Sequence, residues 1–179
     1  MYSDYEWLIP DWSGSTMKKY KIGMYGGKFM PFHKGHLHCL DVAAQECEKV
    51  HLILFINGIQ EKEIINAMPD DKDLLVENRL KQCYKVAANY PNVVVDVIDV
   101  GTCLLPDGSE DWDAETPMVD KVCGHLDAVY GSEPSYAAYF KRAYPDAVYR
   151  CLDPERKEIN ISATMVRKMN NDERKEWMV

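Results

Sequence analysis

The chain has 179 residues, 46% of them hydrophobic and 28% charged, with a formal charge of −8. That length suits one domain with its own core, and an acidic balance without a basic stripe excludes general attraction to a nucleic-acid backbone, so any phosphate must be bound locally. No apolar run nears the roughly 18 residues of a membrane span, and the first residues lack the basic start and apolar core of a secretory signal. A cytoplasmic protein with neither a nucleic-acid nor a membrane partner is expected.

Residues 1–16 read as an N-terminal extension carrying Trp7, Leu8, Ile9 and Trp12, and residues 17–179 as the domain. The first strand-like run, YKIGMY at 20–25, leads into GGKFMPFHKGH at 26–36. Gly26 and Gly27 let the backbone turn tightly and approach a ligand. A helical pattern follows, with Leu37, Leu40, Ala44 and Cys47 at three-to-four spacing. Strand HLILFI at 51–56 comes next, then a helix on Val76, Leu80, Cys83, Tyr84 and Ala87, and strand VVVDVI at 93–98. The polar stretch 106–117 reads as a loop, and Met118, Val122 and Leu126 as a third helix; strands AVYG at 128–131 and AVYRCL at 147–152 complete the pattern. Alternating strands and helices predict an α/β fold, a Rossmann-like parallel sheet covered on both faces, with ligands outside the carboxyl ends of the strands. The six cysteines form no CxxC pair and suit reduced core thiols.

The segment 26–36 thus lies where a helix presents unpaired N–H groups to an anion. Neither GxGxxG nor GxxxxGK[ST] is present, which removes the dinucleotide fingerprint and the kinase-type phosphate loop. His33 and His36, with Gly35 leaving room between them and Lys28 adding charge, can face one phosphate over the helix start. Zinc on His33, His36 and His38 is an alternative, but no HExxH or Cys/His spacing supports it. His38, His51 and His125 read as surface or satisfied core residues.

HKGH at 33–36 resembles the HxGH signature of the nucleotidylyltransferase superfamily, and ISATMVR at 161–167 resembles its second signature, ISxTxxR. With DWD at 111–113, VYGSEP at 129–134 and DPERKEINISATMVR at 153–167, the sequence over about 20–177 is similar to the NadR-type nicotinamide mononucleotide (NMN) adenylyltransferases. Such proteins often carry a ribosylnicotinamide kinase domain after this one, and some a DNA-binding domain before it. The resemblance implies ATP and NMN as substrates, NAD as product, and Mg2+ carried mainly by the ATP phosphates, with no protein metal site.

It also implies roles. His33, His36, Lys28 and Arg167 would be catalytic, the histidines on the ATP phosphates and the two cations on the β and γ groups. Gly26, Gly27, Phe29, Met30, Gly35, Ser132, Glu133, Arg156, Ile161, Ser162 and Thr164 would bind ATP, with Ser162 and Thr164 at the start of the last helix. Asn57, Trp112 and Asp113 would bind NMN. Asn57 could equally turn the chain, Trp112 could anchor a loop, and Arg79 could reach phosphate or lie on a solvated helix face. Two rival functions stay open: the same chemistry on pantetheine phosphate, FMN or a cytidylyl acceptor, and a sensor that holds ATP or NAD without turnover. The oligomeric state is also open.

Overall fold

A computed structural model describes residues 17–179. The extension at 1–16, read above as an arm for the body or a partner, lies outside the described residues. Five strands, β1 (Tyr20–Gly27), β2 (Cys47–Ile56), β3 (Val93–Asp99), β4 (Ala128–Gly131) and β5 (Val148–Cys151), form one parallel sheet in the order β3-β2-β1-β4-β5. The helices are α1 (Lys34–Glu46), α2 (Ile59–Ala67), α3 (Val76–Ala87), α4 (Trp112–Cys123), α5 (Ala137–Ala143), α6 (Ala163–Arg167) and α7 (Asn171–Trp177).

Side chains alternate across the strands, so neighbours enter different cores. Tyr25, Leu52, Leu54, Ala128 and Tyr130 pack with Leu40 and Ala43 of α1 and with Cys83 and Val86 of α3. Met24, Ile53 and Val129 face the other way, against Val119 of α4 and Tyr144. Both faces are covered, which is why these strands read as continuous apolar runs. Connections from β1 wind to β2 and β3 on one side, and the chain then crosses to β4 and β5 on the other. The order reverses between β1 and β4, the place where such sheets bind ligands.

Several elements depart from the sequence reading. Cys47 is not the end of a helix but the first residue of β2, paired in register with Tyr20. The helix α2, which the polar run after Asn57 conceals, had no counterpart. The stretch 106–117 is irregular only to Asp111: that side chain accepts from the Ala114 N–H and starts α4, which then runs through Pro117. Leu126 lies beyond α4, yet is buried in the second core. On α3 the buried stripe is Arg79, Cys83, Val86 and Ala87, while Tyr84 is exposed. The helix α6 is not the last, since α7 follows it.

Candidate active site

A crevice of about 510 Å3 opens above the carboxyl ends of β1 and β4. One end is built by the segment after β1 and the start of α1. His33 is the N-cap of α1: its Nδ1 accepts from the N–H groups of Gly35 (3.0 Å) and His36 (3.4 Å). His36 answers with its own Nδ1, which accepts from the His33 N–H at 3.1 Å. A backbone N–H can only donate, so each imidazole has an unprotonated Nδ1 and carries its proton on Nε2. Neither Nε2 has a protein partner among the described residues. As no buried side-chain nitrogen or oxygen there lacks one, both Nε2–H groups must reach open space.

The two rings are stacked, with centroids 3.7 Å apart. The φ of Gly35 is not what requires glycine here; a Cβ would sit 2.8 Å from Cε1 and 3.0 Å from Nδ1 of His33. Burial first, then the Arg156 charge, lowers the His33 pKa to about 4. Burial, His33 and Arg156 push His36 well down as well. Both rings are therefore neutral donors at physiological pH.

Phe29 holds a left-handed φ of 48° and is fully buried, its ring set edge-on to His36 at 5.0 Å and beside Phe32 at 4.8 Å. Such a backbone is costly outside glycine and persists only where packing enforces it. It braces the His36 ring from behind. Gly26 and Gly27 line the crevice where a Cβ would strike Phe55 (2.5 Å) or Phe29 (2.9 Å). The Met30 carbonyl accepts from Arg167 at 2.8 Å, and Arg167 also donates to Thr164 Oγ1 at 3.2 Å. Arg174 of α7 fixes this helix by donating to the carbonyls of Val166 and Arg167 while pairing with Asp71 and Asp73. Arg156, at φ 54°, donates to the Ile161 carbonyl at 2.7 Å. Ser162 caps α6 by accepting from the Met165 N–H. The Asp153 carboxylate accepts from the N–H groups of Lys157, Glu158 and Ile159, which folds the loop into α6. Ser132 bonds Cys39, and Glu133 accepts from the Ser135 N–H.

The other end is aromatic. Trp112 packs edge-on against Tyr136 (4.9 Å) and Tyr139 (5.3 Å), with Phe140 and Tyr144 completing the wall. Its indole N–H donates to Glu110 at 3.3 Å. Lys28 lies between the two ends, donating to Gln60 at 2.9 Å with Glu110 at 4.0 Å.

All four residues expected to be catalytic line this crevice, as do the eleven expected around ATP and Trp112. Two expected NMN contacts do not. Asn57, at φ 67°, turns the chain after β2 and bonds Asp99 at 2.8 Å. Asp113 faces outward and pairs with Arg142 at 3.0 Å. Trp112 itself is on a helix, not in a loop, because the Asp111 cap begins α4 one residue earlier. Arg79 reaches neither phosphate nor solvent: it is 0% exposed and pairs with Glu61. Sequence reading missed Glu110, Glu115 and the tyrosine wall; the signal available was aromatic spacing over 136–144, which a core also explains. Among the described residues no three His, Cys, Asp or Glu side chains gather into a metal cluster.

A crevice of this size at the switch point of a parallel sheet, with imidazole N–H groups and cations at one end and an aromatic wall at the other, stands where α/β proteins of this topology bind their ligands. Residues 24–169 match the model of the cytidylyltransferase-like family, and the chain belongs to that family, within the nucleotidylyltransferase superfamily and close to the NadR type. The trifunctional NAD biosynthesis/regulator protein NadR of Escherichia coli K12 is 23% identical over 156 residues, which are 84% of this chain and 37% of that protein. The Salmonella typhimurium LT2 protein of the same name is 24% identical over 150 residues, 82% of this chain and 36% of its own length. The chain thus spans little more than a third of the curated relatives it matches. A NadR structure in complex with NAD and AMP-PNP has a TM-score of 0.62 at 22% identity, covering 90% of this chain and 46% of that one. A bifunctional NMN adenylyltransferase/ADP ribose pyrophosphatase from Francisella tularensis, complexed with AMP and a Mn ion, has a TM-score of 0.55 at 25% identity, covering 83% and 41%.

Proposed function

We propose that this protein is an adenylyltransferase that joins ATP to nicotinamide mononucleotide, giving NAD and pyrophosphate. The 5'-phosphate oxygen of the mononucleotide attacks the α-phosphorus of ATP; the new P–O bond forms as the bond to the pyrophosphate oxygen breaks. With a second pKa near 6 the attacking phosphate is already ionised, so no general base is needed. The task left to the protein is to bring two polyanions together and to stabilise charge on the phosphoryl oxygens. One observation carries the reading: two neutral Nε2–H donors, fixed by the cap of α1, lie in the same crevice as Arg156, Arg167 and Lys28.

The donor set also bears on the metal. Of the carboxylates lining this part of the crevice, Asp153 is spent on the backbone N–H groups of its own loop and Glu133 accepts from the Ser135 N–H, while the other polar groups are cations, imidazoles and hydroxyls. That set fits magnesium carried on ATP with its waters, where it supplies charge neutralisation, rather than an ion caged by protein. Trp112 and its tyrosines offer π faces to the positive nicotinamide ring, an attraction of about 0.5–2 kcal/mol.

The test is pyrophosphate release from ATP and magnesium with NMN, pantetheine phosphate, FMN or a cytidylyl acceptor supplied singly. Release with NMN alone is expected. Turnover of another acceptor without NMN would replace the substrate, and calorimetric binding of NAD with no turnover would favour the sensor.

A further inference from the structure

A crevice for a pyridinium nucleotide must still choose between two acceptors of one shape, a ring bearing a carboxamide and a ring bearing a carboxylate. We propose that Glu115 makes this choice, pairing with the amide and repelling the acid; the inference rests on the adenylyl-transfer reading.

Glu115 lies three residues after Trp112 on α4, hence on the same helix face, and both line the crevice. The two carboxyl groups at this end differ in what holds them. Glu110 is occupied on both oxygens, one accepting from the Ile59 N–H at 2.9 Å and the other from the Trp112 indole at 3.3 Å. Glu115 has neither a hydrogen bond nor an ion pair among the described residues. No buried side-chain oxygen there lacks a partner, so its carboxyl opens into the crevice. The cation beside it, Lys28, is already engaged by Gln60 and Glu110. Arg142, the nearest cation on α5 to α4, is turned outward onto Asp113.

This end is therefore acidic and, among the described residues, offers a carboxylate no free positive partner. A carboxamide brings both an N–H donor and a C=O acceptor, and pairs with Glu115 in either protonation state. A carboxylate pairs only with the protonated form and meets like charge otherwise. Burial, followed by Glu110, raises the Glu115 pKa to about 7, against the pull of Lys28, with Asp111 pushing further upward. The ionisable groups that face it are Glu110 and Asp111 before α4, Lys28 after β1, Cys103 after β3 and Tyr139 of α5. Preference for the amide should then grow as pH rises through 7.

The experiment compares kcat/KM for the carboxamide and carboxylate mononucleotides at pH 6 and pH 8. The second ionisation of the phosphate is common to both acceptors and cancels in the ratio. We expect the amide-to-acid ratio to rise about tenfold across that interval. In Glu115→Gln the ratio should be flat with pH, and at pH 8 the acid should gain at least about tenfold relative to the amide. A parent ratio independent of pH, or a variant with the parent ratio, overturns the proposal. If neither acceptor is turned over, the adenylyl-transfer reading fails on its own, and calorimetry with the same two mononucleotides decides the inference. Amide-selective binding that Glu115→Gln levels upholds it; equal binding of both compounds by the parent overturns it.

Discussion

His33 divides its work between two ring atoms, with Nδ1 closing the start of α1 and Nε2 left for the crevice. Asparagine caps helices as well as any residue but cannot supply the imidazole N–H, so the two roles separate by substitution. His33→Asn is expected to keep thermal stability near the parent while turnover falls about a hundredfold to a thousandfold, as for loss of a transition-state donor. His33→Ala should lose similar activity and, with the cap gone, a further ~1 kcal/mol of stability. Full activity in either variant would remove the donor role. The depressed pKa also sets a stability slope. Between the ordinary histidine value near 6.5 and about 4, the unfolded chain binds a proton that folded His33 does not. Stability therefore falls as pH drops through that window, and His33→Asn should reduce the slope in melts from pH 7 to pH 4.5, with His36 keeping its own share.

Among the elements, the segment after β1 is held from below by a buried ion pair linking α2 to α3. Arg79 donates to Glu61, to the Leu74 carbonyl at 2.9 Å and to the Lys28 carbonyl at 2.8 Å. Glu61 in turn accepts from the Gly58 N–H that opens α2. Breaking such a pair leaves a buried charge alone, so Arg79→Ala should cost about 3–5 kcal/mol in urea unfolding. Replacing both partners by methionine should return most of that stability yet leave the Lys28 carbonyl without its donor. The double variant should then unfold near the parent midpoint but show a raised KM for ATP. A double variant with parental KM would show that the pair does not shape the phosphate end. This arrangement was hidden in the sequence because an arginine on a helix is usually solvated. The clue was present all the same: Arg79, Cys83 and Val86 fall on one stripe beside Leu80 and Ala87, and of the expected pattern Tyr84 alone points outward.

Across the whole molecule, the net charge of −8 coexists with a crevice that Lys28, Arg156 and Arg167 line. These cations stand together in an otherwise acidic chain, an arrangement that suits the local phosphate recognition proposed above. The sheet was legible because both of its faces are buried, which writes each parallel strand as an apolar run. The histidine end of the crevice was legible because HKGH and ISATMVR each place their lining residues within a few positions. At the aromatic end only Trp112 was singled out, because the end is assembled from Glu110, Trp112 and Glu115 at the start of α4 and from Tyr136 and Tyr139 around α5; the first segment read as a polar loop and the second was given no reading. Catalysis by the assembled crevice should show one acidic limb: with chemistry rate-limiting, kcat should fall below about pH 6 as the acceptor phosphate protonates. The histidines cannot cause it, since His33 titrates only near 4 and His36 is also pushed well down. A profile unchanged down to pH 5 would contradict this.

The proposed reaction is direct transfer between two nucleotides held together, with His33 and His36 donating hydrogen bonds and never attacking. Their Nε2 atoms carry protons and their Nδ1 atoms are tied to the backbone, so neither ring presents a free lone pair to phosphorus. The measurement that tests this most directly is the stereochemical course at the α-phosphorus, read from adenylyl transfer to NMN with ATP made chiral there by sulfur substitution. A single in-line displacement predicts inversion. Retention would require two displacements through an adenylylated enzyme and would contradict the account.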